Sequence, residues 1–338
     1  MARLRRADCS EPGIRRVRSG RGFRYVDESG DSVRDEKTVE RIRALAIPPA
    51  WRDVWICMDP LGHIQATGVD DAGRKQYRYH DAWRDRRDRR KFEQMLELAE
   101  LLPSLRRRLR GRLGQRGLTR ERVLAGAVLL LDLGFFRIGG EEYAEQNESF
   151  GLATIRKSHV RSENGAVVFD YPAKGAQRRV QEITDPPLVQ LVRALKRRRG
   201  GGRELLAYRE GGGWVDVRSA EVNAHLKELT DSDLSAKDFR TWNATVLAAV
   251  LLAAHDGEGG TKTARKRVAR EVTKEVADLL GNTPAVCRRS YIDPSVFDRF
   301  DAGETIRDEL GRHAGKGFDE IPAAARDRIE VAVIGLLT

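Results

Sequence analysis

The sequence is poor in the side chains that build disulfide scaffolds and metal sites. Its three cysteines, Cys9, Cys57 and Cys287, lie far apart and form no CxxC pair. Its six histidines occur in no HExxH or comparable ligand spacing. An odd number of scattered cysteines argues against a disulfide framework or a zinc site and favours a reducing compartment. We therefore expect a cytoplasmic protein without a metal.

Long apolar runs and nucleotide-binding motifs are also missing. No apolar run approaches the roughly 18 residues that a membrane helix needs, and the basic start MARLRRADC leads into no apolar stretch, so we expect no membrane span and no secretory signal. GEGGTKT differs from a P-loop because Thr261 separates the glycine from the lysine. The pair Asp70-Asp71 alone is too little for a two-metal nuclease. ATP, Mg²⁺ and other cofactors are not expected.

Positive charge is what the chain has in excess. Lys and Arg together number 62 against 51 for Asp and Glu, which gives a net charge of +11 and an isoelectric point near 9.8. An excess of this size favours a polyanionic partner, and nucleic acid is the commonest one. The plainer alternative is an ordinary protein from an arginine-rich proteome, because charges of both signs are well mixed.

Regions of different character follow one another along the chain. Residues 1–20 are rich in arginine and turns and predict a flexible basic arm. Residues 21–85 carry short aromatic and β-branched runs between Gly, Asp and Pro, which predict a small antiparallel β-rich domain with a short helix near 36–45. Residues 86–338 have mainly helical periodicity and predict a larger domain. The expected fold class is α+β.

Within the larger domain, both helices and a small sheet are expected. The segment 82–120 has helical periodicity, with a break around Pro103. LATIRKSHV and AVVFDYP are typical of strands, and Asn164-Gly165 between them is a hairpin turn signal. A second turn follows AVVFDYP and precedes RRVQEI. We expect a short β-hairpin or three-stranded sheet with Lys174 at the tip of this second turn.

Two arginines stand where a phosphate could bind. Arg137 follows the apolar stretch VLAGAVLLLDLGFF and precedes Gly139-Gly140. It should therefore extend from a buried helix next to flexible backbone, where its guanidinium could bind a phosphate through two hydrogen bonds. The plain alternative is an arginine that caps helix carbonyls. Arg240 lies near the start of a long apolar helix, where a cation opposes the helix dipole and needs an anion. Asp238 is one expected partner, and a phosphate would suit a helix N-terminus better.

Three further residues offer a proton donor, an amide and a nucleophile. Lys174 is by default a solvated turn residue, but a mobile hairpin could carry its ammonium into a DNA groove. Asn282 follows LLG, where asparagine commonly caps a helix C-terminus. Tyr291 in RRSYIDP is a poor nucleophile unless its anion is stabilised, which Arg288 and Arg289 could do. Two guanidiniums, an ammonium, an amide and a phenol are the groups that metal-free phosphodiester chemistry needs.

Four segments resemble the type IB DNA topoisomerases in their order and local sequence, in particular the small poxvirus-like form found in viruses and bacteria. They are FFRIGGEEY, YPAKG, KDFRTW and RRSYIDP. The resemblance runs from about residue 20 to the tail. It implies that Tyr291 is the covalent nucleophile, that Lys174 is the general acid, and that Arg137 and Arg240 stabilise the transition state. Poxvirus members carry histidine and bacterial members asparagine at the position of Asn282, which implies a neutral hydrogen-bond donor in the site.

The resemblance also extends to accessory residues. Tyr143 belongs to the same pattern as Arg137, and Lys237 occupies the place where tyrosine recombinases usually carry a histidine. GRKQYRYH resembles the segment with which poxviral enzymes touch their preferred site. In it, Gln76 could read adenine edges and Tyr77 and Tyr79 could pack on sugars and methyl groups. An ordinary amphipathic strand or helix is the alternative for this segment.

The function implied by the resemblance is relaxation of positive and negative supercoils through a 3′-phosphotyrosyl intermediate, without ATP or metal. The partner is double-stranded DNA, which a monomer grips as a clamp, with an N-terminal DNA-binding domain at 21–85 and a catalytic domain at 86–338. The expected place is the cytoplasmic nucleoid. Two alternatives stay open, a tyrosine site-specific recombinase and a non-catalytic DNA-binding protein.

Overall fold

A computed structural model of the chain describes residues 3–175, 177–255, 260–313, 321 and 323–338. The chain divides into two compact units, Met1–Arg90 and Lys91–Thr338. The first contains an antiparallel sheet, and the second is mainly helical with a small sheet of its own. The α+β class predicted from the sequence is confirmed.

The first unit is built on a five-stranded antiparallel sheet. Its strands, in their order across the sheet, are β2 (Gly22–Val26), β1 (Ile14–Ser19), β3 (Arg52–Ile56), β4 (Ile64–Val69) and β5 (Lys75–Tyr79). Helix α1 covers Glu36–Ala44, and its N-terminus is capped by the side chain of Asp35, which accepts from Thr38 N. The helix packs Ile42 into a core with strand residues such as Val54 and Ile56.

The expectation of a flexible arm over the whole of residues 1–20 is wrong for residues 14–19, which form strand β1 inside the sheet. Ile14 is buried in the core, and the Arg16 guanidinium donates to the carbonyls of Pro48 and Trp51. The segment is therefore a paired strand, and its number of arginines alone does not make it flexible.

The second unit contains most of the helices. Helix α2 begins in the first unit and covers Asp81–Leu113 without the expected break at Pro103. Pro103 is exposed, while Leu98, Leu102 and Leu105 on the other side of the helix are buried. The other helices are α3 (Arg120–Gly134), α4 (Glu141–Asn147), α5 (Pro186–Arg197), α6 (Ser219–Thr230), α7 (Ala236–Ala254), α8 (Lys262–Leu280), α9 (Pro284–Ser290), α10 (Pro294–Ala302), α11 (Arg307–Leu310) and α12 (Ala323–Leu337).

A small sheet in the second unit has the order β6-β7-β8, with strands β6 (Val160–Glu163), β7 (Ala166–Ala173) and β8 (Gln177–Ile183). Asn164 and Gly165 form the turn between β6 and β7, both with positive φ, as a tight hairpin requires. The strand expected at LATIRKSHV is wrong except for its last residue, because most of that segment forms two short 3₁₀ turns. A separate two-stranded ribbon joins β9 (Ala207–Glu210) and β10 (Gly213–Asp216).

Two apolar helices lie at the centre of the core of the second unit. Helix α3 is buried on almost every side, and α7 buries Phe239 and Trp242 completely. Such all-round burial explains why both helices lack an amphipathic pattern in the sequence. Among the described helices, none has a stretch long and apolar enough to cross a bilayer. The described residues also contain no cluster of three or more His, Cys, Asp or Glu side chains arranged to bind a metal ion.

Candidate active site

Arg137 enters the site from the end of helix α3. The helix ends at Phe135, a left-handed residue with φ of 53°, and Phe136 then packs edge-on against Phe169 with ring centroids 4.9 Å apart. Because Phe136 is fully buried, the next side chain is directed out of the core. Arg137 Nη2 donates to Gly281 O at 2.5 Å and to Asn282 Oδ1 at 2.7 Å.

Two glycines hold the loop that carries Arg137. A Cβ placed on Gly151 would lie 2.5 Å from Gly139 Cα and 2.7 Å from Arg137 O, so the two backbone segments touch. Gly139 also has φ of 80°, a conformation that favours glycine. A hydrogen bond stabilises the contact, because Leu152 N donates to Arg137 O at 2.8 Å.

Arg240 reaches the same place from helix α7. Its side chain is 4% exposed, and it donates from Nη1 to Phe135 O at 2.6 Å and from Nη2 to Leu280 O at 2.9 Å. Burial first, and then the charge of Arg137, lower the pKa of Arg240 to about 10. The guanidinium therefore stays protonated at neutral pH, although it costs free energy to bury.

Asp238 does not compensate the charge of Arg240, so that expectation is wrong. Its carboxylate accepts from the backbone N of Ser235 at 2.7 Å and from Ser235 Oγ at 3.0 Å, closing a capping box at the start of α7. Burial raises the pKa of Asp238, partly opposed by these hydrogen bonds. The aspartate caps the helix, and Arg240 is left with carbonyl partners.

The C-terminus of helix α8 is the point on which three arginines converge. Gly281 ends the helix in the left-handed region with φ of 64°. Arg240 binds the carbonyl of Leu280, and Arg137 binds that of Gly281. Arg179, a residue that sequence reasoning missed, donates to the two preceding carbonyls, those of Asp278 at 2.9 Å and of Leu279.

Asn282 lies immediately beyond this helix end. Its backbone N donates to Ala277 O at 2.9 Å, so it is also part of the helix cap. Because Arg137 can only donate, the Asn282 atom that faces it must be the oxygen. In the part of the chain that the structure describes, Asn282 Nδ2 and Arg240 Nε are buried without a hydrogen-bond partner. Both remain available as donors to an anion.

Tyr291 lies at the end of helix α9, partly buried against the core. The Arg240 guanidinium carbon lies 5.2 Å from the centre of the Tyr291 ring. Thr245 fixes the backbone here, because its Oγ1 donates to Tyr291 O at 3.3 Å and accepts from Asp293 N at 3.1 Å. The phenol is therefore held next to one of the two arginines that the sequence analysis singled out.

Lys174 lies at the turn between β7 and β8, as expected from the sequence, and its side chain is exposed. The hairpin adjoins the arginines at the third residue pair from its turn, Tyr171 and Arg179. Tyr171 there stacks on Phe136 with ring centroids 6.2 Å apart. Burial raises the pKa of Tyr171 to about 12, against the opposing charges of Arg179, Arg240 and Arg137. This part of the hairpin is thus next to the cluster, while Lys174 is three residues further along the strand direction.

The accessory residues predicted from the sequence lie in different elements of the structure. Lys237 is exposed in the first turn of α7. Tyr143 belongs to α4, but its side chain lies outside the described residues. Tyr77 and Tyr79 stack on one face of the edge strand β5 with centroids 6.0 Å apart. Gln76 is on the opposite face of that strand and donates to Asp70 Oδ2 at 2.9 Å, so the structure does not group it with the tyrosines.

The electrostatics of the cluster are those of an anion site. Within the described residues, Arg137, Arg179 and Arg240 all bind backbone carbonyls, and none of them forms an ion pair with a carboxylate. Carbonyls at helix C-termini carry only partial negative charge and cannot cancel full positive charges. A phosphate would supply the missing charge and accept from the free donors. The geometry therefore suits stabilisation of a negatively charged phosphorus centre beside a phenol.

Comparison with known proteins bears on both units. The model described as "Eukaryotic DNA topoisomerase I, catalytic core" matches residues 80–308, more than half of the chain. The model described as "Bacterial DNA topoisomerase IB, N-terminal domain" matches residues 22–70. The chain has a β-rich unit followed by a helical unit that carries this cluster, and each unit matches a topoisomerase model. The chain is therefore a DNA topoisomerase, an enzyme that acts on DNA. The chain belongs to the type IB DNA topoisomerase family.

Individual relatives agree with this assignment. The chain is 29% identical over 286 residues to a DNA topoisomerase 1B of Acanthamoeba polyphaga mimivirus, covering 83% of this chain and 85% of the relative. It is 20% identical to a DNA topoisomerase 1 of rabbit fibroma virus, covering 77% and 81%. A carrot DNA topoisomerase 1 is 25% identical over 50% of this chain, which spans only 21% of that longer relative.

Proposed function

We propose that this topoisomerase cuts one strand of duplex DNA with Tyr291, lets the cut strand rotate and then reseals it. The observation that carries the proposal is the meeting of Arg137, Arg240, Asn282 and Tyr291 around the end of helix α8. No carboxylate among the described residues occupies this meeting point, so a DNA phosphate fits its charge.

In the cleavage step, the Tyr291 oxygen attacks the phosphorus and loses its proton to solvent water. A bond forms between Tyr291 and the 3′ phosphate, and the bond from phosphorus to the 5′ oxygen breaks. Arg137 and Arg240 stabilise the charge on the non-bridging oxygens, and Asn282 Nδ2 adds a hydrogen bond. Lys174 gives a proton to the departing 5′ oxygen, with Lys237 assisting.

Religation reverses these steps. The 5′ hydroxyl attacks the phosphotyrosyl bond, which has kept the energy of the original phosphodiester, so resealing needs neither ATP nor a metal ion. While the bond is open, rotation about the intact strand relaxes supercoils of either sign. We further propose that residues 21–85 grip the duplex and residues 86–338 carry the chemistry, in a monomer that closes as a clamp in the nucleoid.

Plasmid relaxation tests the proposal. Negatively supercoiled plasmid is incubated with the protein in EDTA and without ATP, beside the Tyr291→Phe variant. We expect relaxed circles with the wild type and none with the variant. Arg137→Ala should slow relaxation by at least about 100-fold, which corresponds to about 3 kcal/mol of barrier. Recombinant products would instead identify a tyrosine recombinase, and plasmid retention without relaxation would identify a non-catalytic DNA-binding protein.

A further inference from the structure

Arg179 is a half-buried cation of the site with no role in the proposed chemistry. It lies on β8 directly opposite Tyr171 of β7, on the face of the hairpin that adjoins the arginine cluster. Its neighbour Arg178 points to the other face, is 76% exposed and pairs with Asp170 at 2.6 Å. Two adjacent arginines on one strand therefore have different environments, and only Arg179 faces inward.

The contacts of Arg179 join the hairpin to helix α8. Nη1 and Nη2 bind the carbonyls of Asp278 and Leu279 in the last turn of α8, where helix carbonyls lose their regular partners four residues on. Asp278 O also accepts from Gly281 N at 3.2 Å. A Cβ on Gly281 would meet Arg179 Cδ and Nη1 at 3.2 Å, so the side chain also packs against the turn that leads to Asn282. One guanidinium thus contacts the structure that holds Arg137 and Arg240.

Hairpin orientation matters because Lys174 lies beyond this joint, at the tip of the hairpin. Three residues of strand separate Tyr171 from Lys174, which is about 10 Å at the usual rise per residue. A rotation of about 10° about the Tyr171–Arg179 pair would move the tip by roughly 2 Å. Displacements of about 1 Å at a reacting group can cost on the order of 100-fold in rate.

We propose that Arg179 is a positioning residue: by binding the C-terminal carbonyls of α8, it fixes the β7–β8 hairpin so that the Lys174 ammonium reaches the departing 5′ oxygen. This inference rests on the proposed function. It separates two tasks in one cluster, because Arg137 and Arg240 act on the phosphate while Arg179 acts only through the proton donor.

A change of leaving group distinguishes these tasks. After the wild-type cleavage site is mapped, duplexes are made with oxygen or sulfur as the 5′ leaving atom at that site. A thiolate leaves without being protonated, so the sulfur duplex does not need a general acid. Single-turnover cleavage of both duplexes is measured for the wild type, Arg179→Ala, Arg179→Lys, Lys174→Ala, Arg137→Ala and the matched control Arg178→Ala.

We expect Arg179→Ala to cleave the oxygen duplex on the order of 100-fold more slowly than the wild type and the sulfur duplex within about 10-fold of it. Lys174→Ala should show the same pattern, and Arg137→Ala should be slow on both duplexes. Arg178→Ala should match the wild type. Arg179→Lys, which can keep one carbonyl contact, should fall between Arg179→Ala and the wild type on oxygen.

Three results would overturn the inference. Wild-type cleavage of the oxygen duplex by Arg179→Ala would show that the hairpin needs no such anchor. Equal slowing on both duplexes, with a folded Arg179→Lys protein behaving likewise, would place Arg179 on the phosphate or in general stability. If Lys174→Ala is not rescued by sulfur, the general acid of the proposed function is wrong and the inference falls with it, whereas failure at Arg179 alone leaves the proposed function intact.

Discussion

At the scale of single residues, the notable property of the site is that positive side chains are held by carbonyl groups. Arg240 is almost completely buried, and its Nη1 and Nη2 atoms bind Phe135 O and Leu280 O. A buried cation without a full counter-charge lowers stability. We propose that a phosphate binds at this unfavourable arrangement, so we expect stability and activity to oppose each other in the cluster.

Asn282 offers a test of that opposition. Asn282→Asp would put a carboxylate oxygen where Oδ1 now accepts from Arg137 at 2.7 Å. The new ion pair should raise the free energy of unfolding by about 1 kcal/mol or more. It should also repel the DNA phosphate and lower the relaxation rate by about 100-fold. Urea unfolding and plasmid relaxation measure the two effects.

Asn282→Ala is the control, because it removes the amide without adding charge. It should lower both stability and relaxation rate, the former by about 1 kcal/mol. Our account of the cluster would be wrong if the aspartate variant were less stable than the wild type while retaining its activity.

At this scale, the sequence predicted site residues where the local motifs were distinctive. It indicated Arg137, Arg240, Asn282 and Tyr291 as candidates, and the structure brings these four together, although their roles stay predictions. It could not indicate Arg179, because RRV in a hairpin contains two equivalent arginines until pairing with β7 decides which one faces inward.

At the scale of elements, the loop after α3 depends on a backbone contact that leaves no room for a side chain. Gly139 and Gly151 approach so closely that any Cβ between them would overlap the backbone. Gly151 has φ of −140°, which any residue can adopt, so the restriction at this position is steric only. The loop cannot move away without displacing Arg137, whose carbonyl is part of the same contact.

Gly151→Ala should therefore lower the free energy of unfolding by about 1–3 kcal/mol and slow relaxation, because the added methyl group pushes the Arg137 loop out of place. The matched control is Gly140→Ala, since Gly140 has an extended φ of −121° and open space where its Cβ would be. Urea unfolding and relaxation compare the two variants. Equal behaviour of both would contradict the proposed steric role of the Gly139–Gly151 contact.

Element boundaries show where tertiary packing overrides local preference. Pro103 costs about 3 kcal/mol inside a helix, yet α2 continues through it because buried leucines on both sides of it, Leu98, Leu102 and Leu105, anchor the helix to the core. LATIRKSHV has strand-like composition, but its backbone groups form hydrogen bonds with distant parts of the chain. Lys157 N, for example, donates to Arg203 O. Such long-range partners cannot be predicted from a local pattern.

At the scale of the whole molecule, composition and periodicity were sufficient for the α+β class. The change from short alternating runs to long apolar helices is visible in the sequence, and the structure divides the chain near the same place, at Arg90. The exception was the N-terminal arginine-rich segment, where Ile14 and its strand partners outweigh the charge of their neighbours. A net charge of +11 agrees with DNA as the substrate and, by itself, says nothing about chemistry.

The central claim is that Tyr291 becomes covalently attached to DNA, and locating that bond tests it most directly. Reactions with plasmid are stopped with detergent, the DNA and protein are digested, and the tryptic peptide 290–299 is examined by mass spectrometry. The account predicts a nucleotide joined through its 3′ phosphate to Tyr291, absent in Tyr291→Phe and retained in Tyr208→Phe, which removes a different phenol, one bonded to Glu221. A nucleotide joined to another residue, a 5′ linkage, or relaxation without any protein-linked DNA would contradict it.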